Sequence, residues 1–257
     1  MKRPAVLWTL AVLVTLASAV YQRMTGPTHP LRGRTKIGGE EYRYRLERSW
    51  AGESDALIRL PVQGTEMTGT VSFRKSETAD SWTTVEMQLQ GNDLTAPLPH
   101  QPLAGKLDYK VMLRSGAELV WLNGGRPVTM RFKGDVPVWV LAPHVLAMFL
   151  GMLLANRAGL AAFFAEPQMR VWTLWTVALI TVGGMMLGPV VQKFAFGEAW
   201  TGWPKGVDLT DNKTAIAWLL WVVAAWRRSP RWVVAAALVT LAVFLIPHSV
   251  LSGNVTR

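Results

Sequence analysis

Apolar runs of near-membrane length occupy the start and the second half of the chain, and they constrain its fold more than any other feature. The first run covers residues 5–20, and four more follow between residues 137 and 251. A helix needs about 20 apolar residues to cross the roughly 30 Å hydrocarbon core of a bilayer. Because hydrocarbon cannot satisfy backbone polar groups, such runs predict membrane-spanning helices. The sequence therefore predicts an α-helical bundle of five spans.

The basic residues of the apolar regions are grouped at one set of helix ends. Between residues 23 and 135 there are 16 Lys and Arg against 13 Asp and Glu, so +7 of the net charge of +10 belongs to the apolar remainder. The basic clusters there, at one set of helix ends, are Lys2, Arg3, Arg157, Arg170, Arg227, Arg228 and Arg231. An excess of Lys and Arg in cytoplasmic loops sets the orientation of a membrane protein. We therefore expect the N-terminus inside and the C-terminus outside, and no nucleic-acid partner.

The first apolar run has two interpretations. It follows a basic start and contains Ala17-Ser18-Ala19, which resembles a signal-peptidase site. A cleaved signal peptide and a retained anchor both remain open. The length of the run favours a retained N-terminal anchor over residues 1–22.

Between residues 32 and 133 the apolar period changes to two. Leu107, Tyr109, Val111 and Leu113 alternate with polar residues, and Val128, Met130 and Phe132 repeat the pattern. Short alternating strands separated by Gly and Asn turns predict an all-β antiparallel sandwich outside the cytoplasm. The chain has no cysteine, so no disulfide braces this region. The spacing of LPHQPLAGKLDYKVML resembles the later strands of a fibronectin type III or immunoglobulin-like domain.

Residues 137–257 are predicted to form a bundle of four spanning helices with an outer hairpin over residues 192–213. We expect the third span to end at Pro189, because proline interrupts a helix. The apolar part of the fourth span, residues 214–226, would cover only about 20 Å at 1.5 Å per residue. Its helix is therefore expected to begin earlier, at Asp208 or Thr210.

Polar residues near the outer ends of these spans form a candidate site. His144 and His248 each follow a proline inside an apolar run, and the hairpin ends in ionisable residues. Such groups are costly in hydrocarbon unless they face protein or water, so we expect them to meet in one polar cluster. The predicted members are His144, His248, Asp208, Asp211, Asn212 and Lys213.

Three roles for this cluster remain open. In the first, neutral histidines are hydrogen-bonded within the bundle, and Asp208 or Thr210 caps a helix. In the second, His144 and His248 bind a b-type haem or, with Asp208 or Asp211, a metal ion, because imidazole and carboxylate are suitable ligands. In the third, Asp211, Lys213 and the histidines carry protons or cations.

The chain lacks the usual catalytic patterns. It contains no HExxH, GxSxG, P-loop, CxxC or dinucleotide-binding glycine motif. We therefore expect a non-enzymatic membrane protein whose sandwich docks a periplasmic or membrane protein partner or a ligand. Gly183, Gly184 and Gly188 are expected to allow close helix packing.

Five stretches carry a resemblance to known proteins. They are GRTKIGGEEYRYRL, LPHQPLAGKLDYKV, RFKGDVPVWVLAPHVLAMFLGMLLANRAGL, GPVVQKFAFGEAWTGWPKGVDLTDNKT and FLIPHSVLSG. Through them the chain resembles a group of bacterial inner-membrane proteins with a periplasmic fibronectin- or immunoglobulin-like domain and no known function. The resemblance implies a retained first span, a location in the inner membrane, and a periplasmic sandwich joined to a helical bundle. With the N-terminus inside, the C-terminus is then also expected in the periplasm. It implies no activity, cofactor or site residue.

Overall fold

The computed structural model describes residues 3–62, 67–206 and 208–246, and the chain divides into two compact units. The helical unit comprises Met1–Pro27 and Val136–Arg257, and the β unit comprises Thr28–Asp135.

The helical unit is built from apolar helices. They are α1 (Arg3–Thr25), α2 (Val138–Phe163), α3 (Met169–Ile180), a π-helix (Thr181–Leu187), α4 (Gly188–Phe196), α5 (Leu209–Arg227) and α6 (Pro230–Leu245). Across the described residues, three helices are long and apolar enough to cross a membrane: Pro4–Thr25, Val138–Phe163 and the continuous Met169–Phe196. Large apolar side chains such as Val138, Trp139 and Leu146 are exposed, as on a lipid-facing surface.

The third apolar helix does not end at Pro189, so that prediction is wrong. The helix continues through the π-helix into α4 and stops at Phe196, where Gly197 adopts a left-handed conformation. Pro189 lies in the first turn of α4, where a proline is tolerated. Residues 192–196 of the predicted hairpin are therefore helical, and the loop between the helices starts at Gly197.

The start of α5 agrees with the prediction, made from the short apolar run of residues 214–226, that this helix begins near Asp208 or Thr210. The helix begins at Leu209, and Asp208 caps it by accepting hydrogen bonds from the backbone N–H groups of Thr210 and Asp211 at 2.7 and 3.2 Å. This confirms the capping role predicted for Asp208. The negative charge of Asp208 also interacts favourably with the positive N-terminal end of the helix dipole.

The N-terminal helix α1 packs within the helical unit along one face. Leu7, Ala11, Thr15 and Ser18 are buried, and they recur at the spacing of successive helical turns. The Nδ2 of Asn156 on α2 donates a 2.9 Å hydrogen bond to the Thr15 hydroxyl. A polar contact between helices fixes their relative position better than apolar contact alone.

The described part of the β unit contains eleven strands in three sheets. They are β1 (Leu31–Ile37), β2 (Glu40–Leu46), β3 (Ser49–Ala51), β4 (Ala56–Pro61), β5 (Met67–Lys75), β6 (Thr83–Glu86), β7 (Gln88–Gln90), β8 (Asp93–Leu98), β9 (Lys106–Ser115), β10 (Glu118–Trp121) and β11 (Val128–Lys133). One sheet has the order β3-β11-β9-β5-β6 with β10 beside β9, a second has the order β4-β8-β7, and β1 pairs with β2.

One hydrophobic core joins these sheets. The alternating residues predicted for β9, from Leu107 to Leu113, are all buried, and they meet Leu60 and Leu98 of the second sheet. The alternating pattern is confirmed for β9 and β11. All but one of the strand pairs are antiparallel; β3 pairs with β11 in parallel.

Tyr109 belongs to this core and places its hydroxyl group inside it. Its side chain is fully buried, and its hydroxyl donates a 2.7 Å hydrogen bond to the carbonyl oxygen of Glu47. Burial raises the pKa of Tyr109 far above its usual range, and the charge of Glu47 adds to this. The tyrosine therefore stays neutral and ties β9 to the segment between β2 and β3.

Tyr109→Phe should lower the free energy of unfolding of the β unit by about 1 kcal/mol, because the Glu47 carbonyl loses its buried donor. Urea denaturation of the intact protein in detergent, followed by circular dichroism, measures the change.

Tyr42→Phe is the matched control. The Tyr42 hydroxyl is buried and has no hydrogen-bond partner within the described residues. Its removal should leave stability unchanged or raise it, because no hydrogen bond is lost. Equal destabilisation by both substitutions would contradict the role assigned to the Tyr109 hydroxyl.

Candidate functional site

The Asp211 carboxylate holds the loop between α4 and α5. Its Oδ2 accepts hydrogen bonds from the backbone N–H groups of Thr201 at 2.7 Å and Gly202 at 3.0 Å. It also accepts from the Gln192 amide at 3.1 Å and the Thr201 hydroxyl at 3.2 Å. Asp211 is buried, with 7% of its surface exposed. Hydrogen bonds to a charged acceptor are stronger than neutral ones, so this carboxylate is a firm attachment point.

The residues beside Asp211 attach further segments. Asn212 Oδ1 accepts a 2.7 Å hydrogen bond from the backbone N–H of Trp203. Lys213 is buried, and its Nζ donates a 2.7 Å hydrogen bond to the carbonyl oxygen of Ile246, just after α6. Because successive helical residues point about 100° apart, three consecutive side chains reach the loop and the end of α6.

Close packing fixes the loop further. Gly202 is buried, and a Cβ atom there would lie 2.7 Å from both Asn212 Oδ1 and Asp211 Cβ. Only a glycine lets the backbone approach both side chains this closely. The loop between α4 and α5 is therefore specified by Gly202 as well as by the carboxylate.

His144 has a partner on the π-helix. Its Nδ1 lies 2.9 Å from the carbonyl oxygen of Gly183. The same carbonyl oxygen also accepts a hydrogen bond from the backbone N–H of Gly188, five residues later, which is the pairing of a π-helix. Cβ atoms on Gly183 and Gly184 would lie 2.9 Å from the Cβ of Ala147 and 2.8 Å from the Cγ2 of Thr214. The predicted role in close helix packing is thus confirmed for Gly183 and Gly184; it is not confirmed for Gly188, where the nearest atoms would lie 3.6 Å or more from a Cβ atom.

The structure brings some of the predicted site residues together and separates others. Asp208, Asp211 and Asn212 share the loop, whereas Lys213 reaches the end of α6. Within the described ranges, no hydrogen bond joins His144 to any of these four residues. His248 lies outside the described residues. No group of three or more histidine, aspartate or glutamate residues is arranged for a metal ion in the part of the chain that the structure describes.

Sequence reasoning missed the environment of Arg157, which it treated as a loop charge. Arg157 is only 1% exposed, and it forms an ion pair with Glu166. Its guanidinium carbon lies 5.5 Å from the ring centre of Trp8 and 5.8 Å from that of Trp172. Aromatic faces attract a guanidinium, so Arg157 joins α1, α2 and α3. The positions of Trp8 and Trp172 in the sequence did not predict their contacts with Arg157.

A second missed feature is the outward side of β5, β9 and β10, called the outer sheet face here. Its members point away from the buried core and comprise Thr70, Ser72, Arg74, Lys110, Met112, Arg114, Leu119 and Trp121. Trp82 packs over it, with the Arg74 guanidinium carbon at 4.7 Å and Lys110 Nζ at 4.4 Å from its ring centre. The period-two pattern of β9 was the signal that could have revealed it.

The outer sheet face is strongly basic. Arg74, Lys110 and Arg114 lie on adjacent strands, and Arg131 extends the charge onto β11. Burial lowers the pKa of Arg131, and the nearby charge of Arg48 lowers it further. A surface that crowds like charges in this way attracts anionic groups.

Comparisons with known proteins give no further guide. No protein-family model matches the chain, and neither a curated protein nor a solved structure is found to be similar to it. The fold alone defines the class: a protein with apolar helices able to cross a membrane and a separate unit of β-sheets.

Asp211→Asn should loosen the loop between α4 and α5. The neutral amide keeps the shape but accepts weaker hydrogen bonds, which we expect to cost about 1–2 kcal/mol locally. The amides of Thr201 and Gly202 should then exchange with solvent about five- to thirty-fold faster, measured by hydrogen exchange and mass spectrometry.

Asp208→Asn is the control, because it makes the same chemical change one turn away. Asparagine caps a helix as well as aspartate, so exchange at Thr201 and Gly202 should stay near the native rate. If Asp211→Asn left those amides equally protected, the carboxylate would not be what holds the loop.

Proposed function

We propose that this protein is a bacterial inner-membrane protein, anchored by five helices, whose periplasmic β-sandwich docks a partner. In this proposal the N-terminus faces the cytoplasm, the C-terminus faces the periplasm, and the protein is not an enzyme. The sandwich is of the fibronectin type III or immunoglobulin-like kind. The outer sheet face is the docking surface, and it is the observation that carries the proposal.

The membrane part of the proposal is supported by the helical unit. Three of its helices are long and apolar enough to span, α6 is apolar but has only 16 residues, and α5 has 19. Arg170 lies at the start of α3, and Arg227, Arg228 and Arg231 lie around the turn between α5 and α6, which is the arrangement of cytoplasmic loops; Arg157 instead lies buried within α2. Asp211 and Lys213 lie near the opposite end of α5, inside protein contacts that reduce their cost in a membrane.

The retention of α1 is supported by its contacts. Trp8 meets Trp172 edge to face with ring centres 5.2 Å apart, and Thr15 accepts a hydrogen bond from Asn156. Cleavage after Ala19 would remove these contacts and expose Arg157. A helix with this role is part of the bundle.

The outer sheet face has the composition of a protein-binding surface. Trp121 and Leu119 are 44% and 56% exposed, and Met112, Arg114 and the Trp82 cluster adjoin them. Tryptophan, methionine and arginine are enriched in interfaces, and tryptophan and arginine dominate their hot spots. Single exposed apolar side chains are ordinary on protein surfaces. Here Leu119, Trp121 and Met112 form a group on two paired strands beside cationic residues, which favours the binding of a partner protein.

The charges of this face indicate an acidic partner. Arg74, Lys110, Arg114 and Arg131 outnumber Asp108 and Glu86 on the same side of the sheet. Asp108 already accepts hydrogen bonds from the hydroxyls of Ser76 and Thr129. Complementary charge steers association and selects partners.

A photo-crosslinking amino acid in place of Trp121 should form a discrete adduct in living cells. Adding Lys110→Glu and Arg114→Glu should reduce that adduct at least about ten-fold, because like charges then face each other across the interface. Immunoblotting for the crosslinked band measures the yield.

The control position is Leu103, which has a similar exposure of 46% but lies in the loop before β9. No adduct should form there. The same band at both positions, or none at position 121, would count against the outer sheet face as the docking surface.

Orientation is tested by thiol labelling, because the chain has no cysteine and each variant then carries one thiol. A membrane-impermeant maleimide should label Glu53→Cys and Lys205→Cys in spheroplasts. Arg227→Cys should react only after the membrane is permeabilised. The opposite pattern would reverse the proposed topology.

A further inference from the structure

A small recess lies among the ends of α3, α5 and α6. Its volume is about 60 Å³, and its lining includes Arg170, Thr173, Ala224, Ala225 and Arg228. The recess is therefore small, with room for a few water molecules or a small anionic group such as a phosphate.

The polar residues of the recess are cationic or neutral. Arg170 and Arg228 line it, and no acidic residue does. In the part of the chain that the structure describes, neither arginine forms an ion pair with a carboxylate. The Thr173 hydroxyl donates to the Met169 carbonyl, so the guanidinium groups are the charged groups left for a ligand.

The backbone around the recess favours the same ligand. Arg228 ends α5 in the left-handed conformation with φ 53°, where glycine is the usual residue. Glycine would fit there without strain but would offer no charge. The helices α3 and α6 begin beside the recess, and no side chain caps either of them. Their positive dipole ends add to the two arginines and favour an anion.

We propose that this recess binds the phosphate of an anionic phospholipid. The proposal rests on the membrane insertion of the helical unit proposed above, because the recess lies at helix ends, where lipid headgroups are found. Basic pockets between spanning helices are suited to anionic headgroups. The apolar residues Ala224 and Ala225 on the same wall suit the adjoining part of a lipid better than a freely soluble ion.

The test is native mass spectrometry of the full chain in detergent, titrated with phosphatidylglycerol. Arg170→Gln with Arg228→Gln should weaken the binding about thirty-fold, because the loss of each contact between an arginine and the lipid phosphate costs roughly five-fold. The matched control is Arg227→Gln with Arg231→Gln, which removes the same amount of charge from the neighbouring ends of α5 and α6. It should bind phosphatidylglycerol within about two-fold of the native chain.

A third variant leaves the charges in place. Ala225→Leu should fill the recess and weaken lipid binding, although both arginines remain. Thermal melting in detergent shows whether each variant folds. If the double arginine variant does not fold, the lipid binding of Ala225→Leu decides whether the recess is the binding site.

Each result bears on the proposal. Equal loss in both double variants would reduce the effect to bulk charge and overturn the specific site. Displacement of the lipid by millimolar inorganic phosphate would overturn the lipid as the ligand. If the chain were absent from the membrane fraction, the proposed function would fail first, whereas a membrane-inserted chain that bound no phosphatidylglycerol would overturn this inference alone.

Discussion

Hydrocarbon offers no partner to a polar group, so in the proposed membrane helices such groups must be satisfied by the protein itself. The described helices meet this constraint mainly by local bonds. The hydroxyls of Thr15, Thr173 and Thr176 donate to the carbonyl four residues earlier, at 2.7 to 2.9 Å. These threonines can therefore lie in the bundle interior without exposing a free donor.

The remaining polar groups connect one helix to another. The Trp221 indole donates to Thr240 on α6, and the Trp218 indole donates to Thr181 at the start of the π-helix, both at 2.8 Å. Arg157 pairs with Glu166, although its Nε and Nη1 have no hydrogen-bond partner among the described residues. Two indole faces offset part of that cost. Polar groups thus set the register of the helices, because small and apolar residues alone permit sliding.

The sequence was most informative where one physical rule dominated. The start of α5 followed from the rise per residue, and β9 followed from strict alternation of apolar residues. By contrast, β8 was not predicted, because Pro97 interrupts its pattern. The strand tolerates Pro97 because the pairing with β7 ends at Thr95, so no neighbouring strand among the described residues on that side needs the missing N–H donor. The π-helix was not predicted either, since no periodicity marks it.

The candidate site was predicted in composition but only partly in geometry. Asp208 and Asp211 were expected at the start of a helix, and they are there. The sequence also predicted that His144 meets Asp208 and Asp211, but the direction in which α2 faces its neighbours could not be read from the sequence. In the structure the imidazole instead contacts the carbonyl oxygen of Gly183 in the π-helix. The outer sheet face was accessible in principle, because alternation places Lys110, Met112 and Arg114 on the side opposite the core. The arrangement of β10 and Trp82 over that side depends on the fold.

The first turn of α5, which contains Asp211, supports the proposed anchoring role. A group that carries protons or cations must exchange its partners during each cycle. Asp211 instead directs one oxygen at four donors, two of them backbone N–H groups that no side-chain rotation can withdraw. Releasing that oxygen would mean refolding the loop, together with the Asn212 bond that holds Trp203. Trp203 is 78% exposed, so the same bonds that immobilise the carboxylate hold an indole at the surface, where an aromatic residue suits a membrane interface. The geometry of this turn therefore supports the proposed role of a fixed anchor.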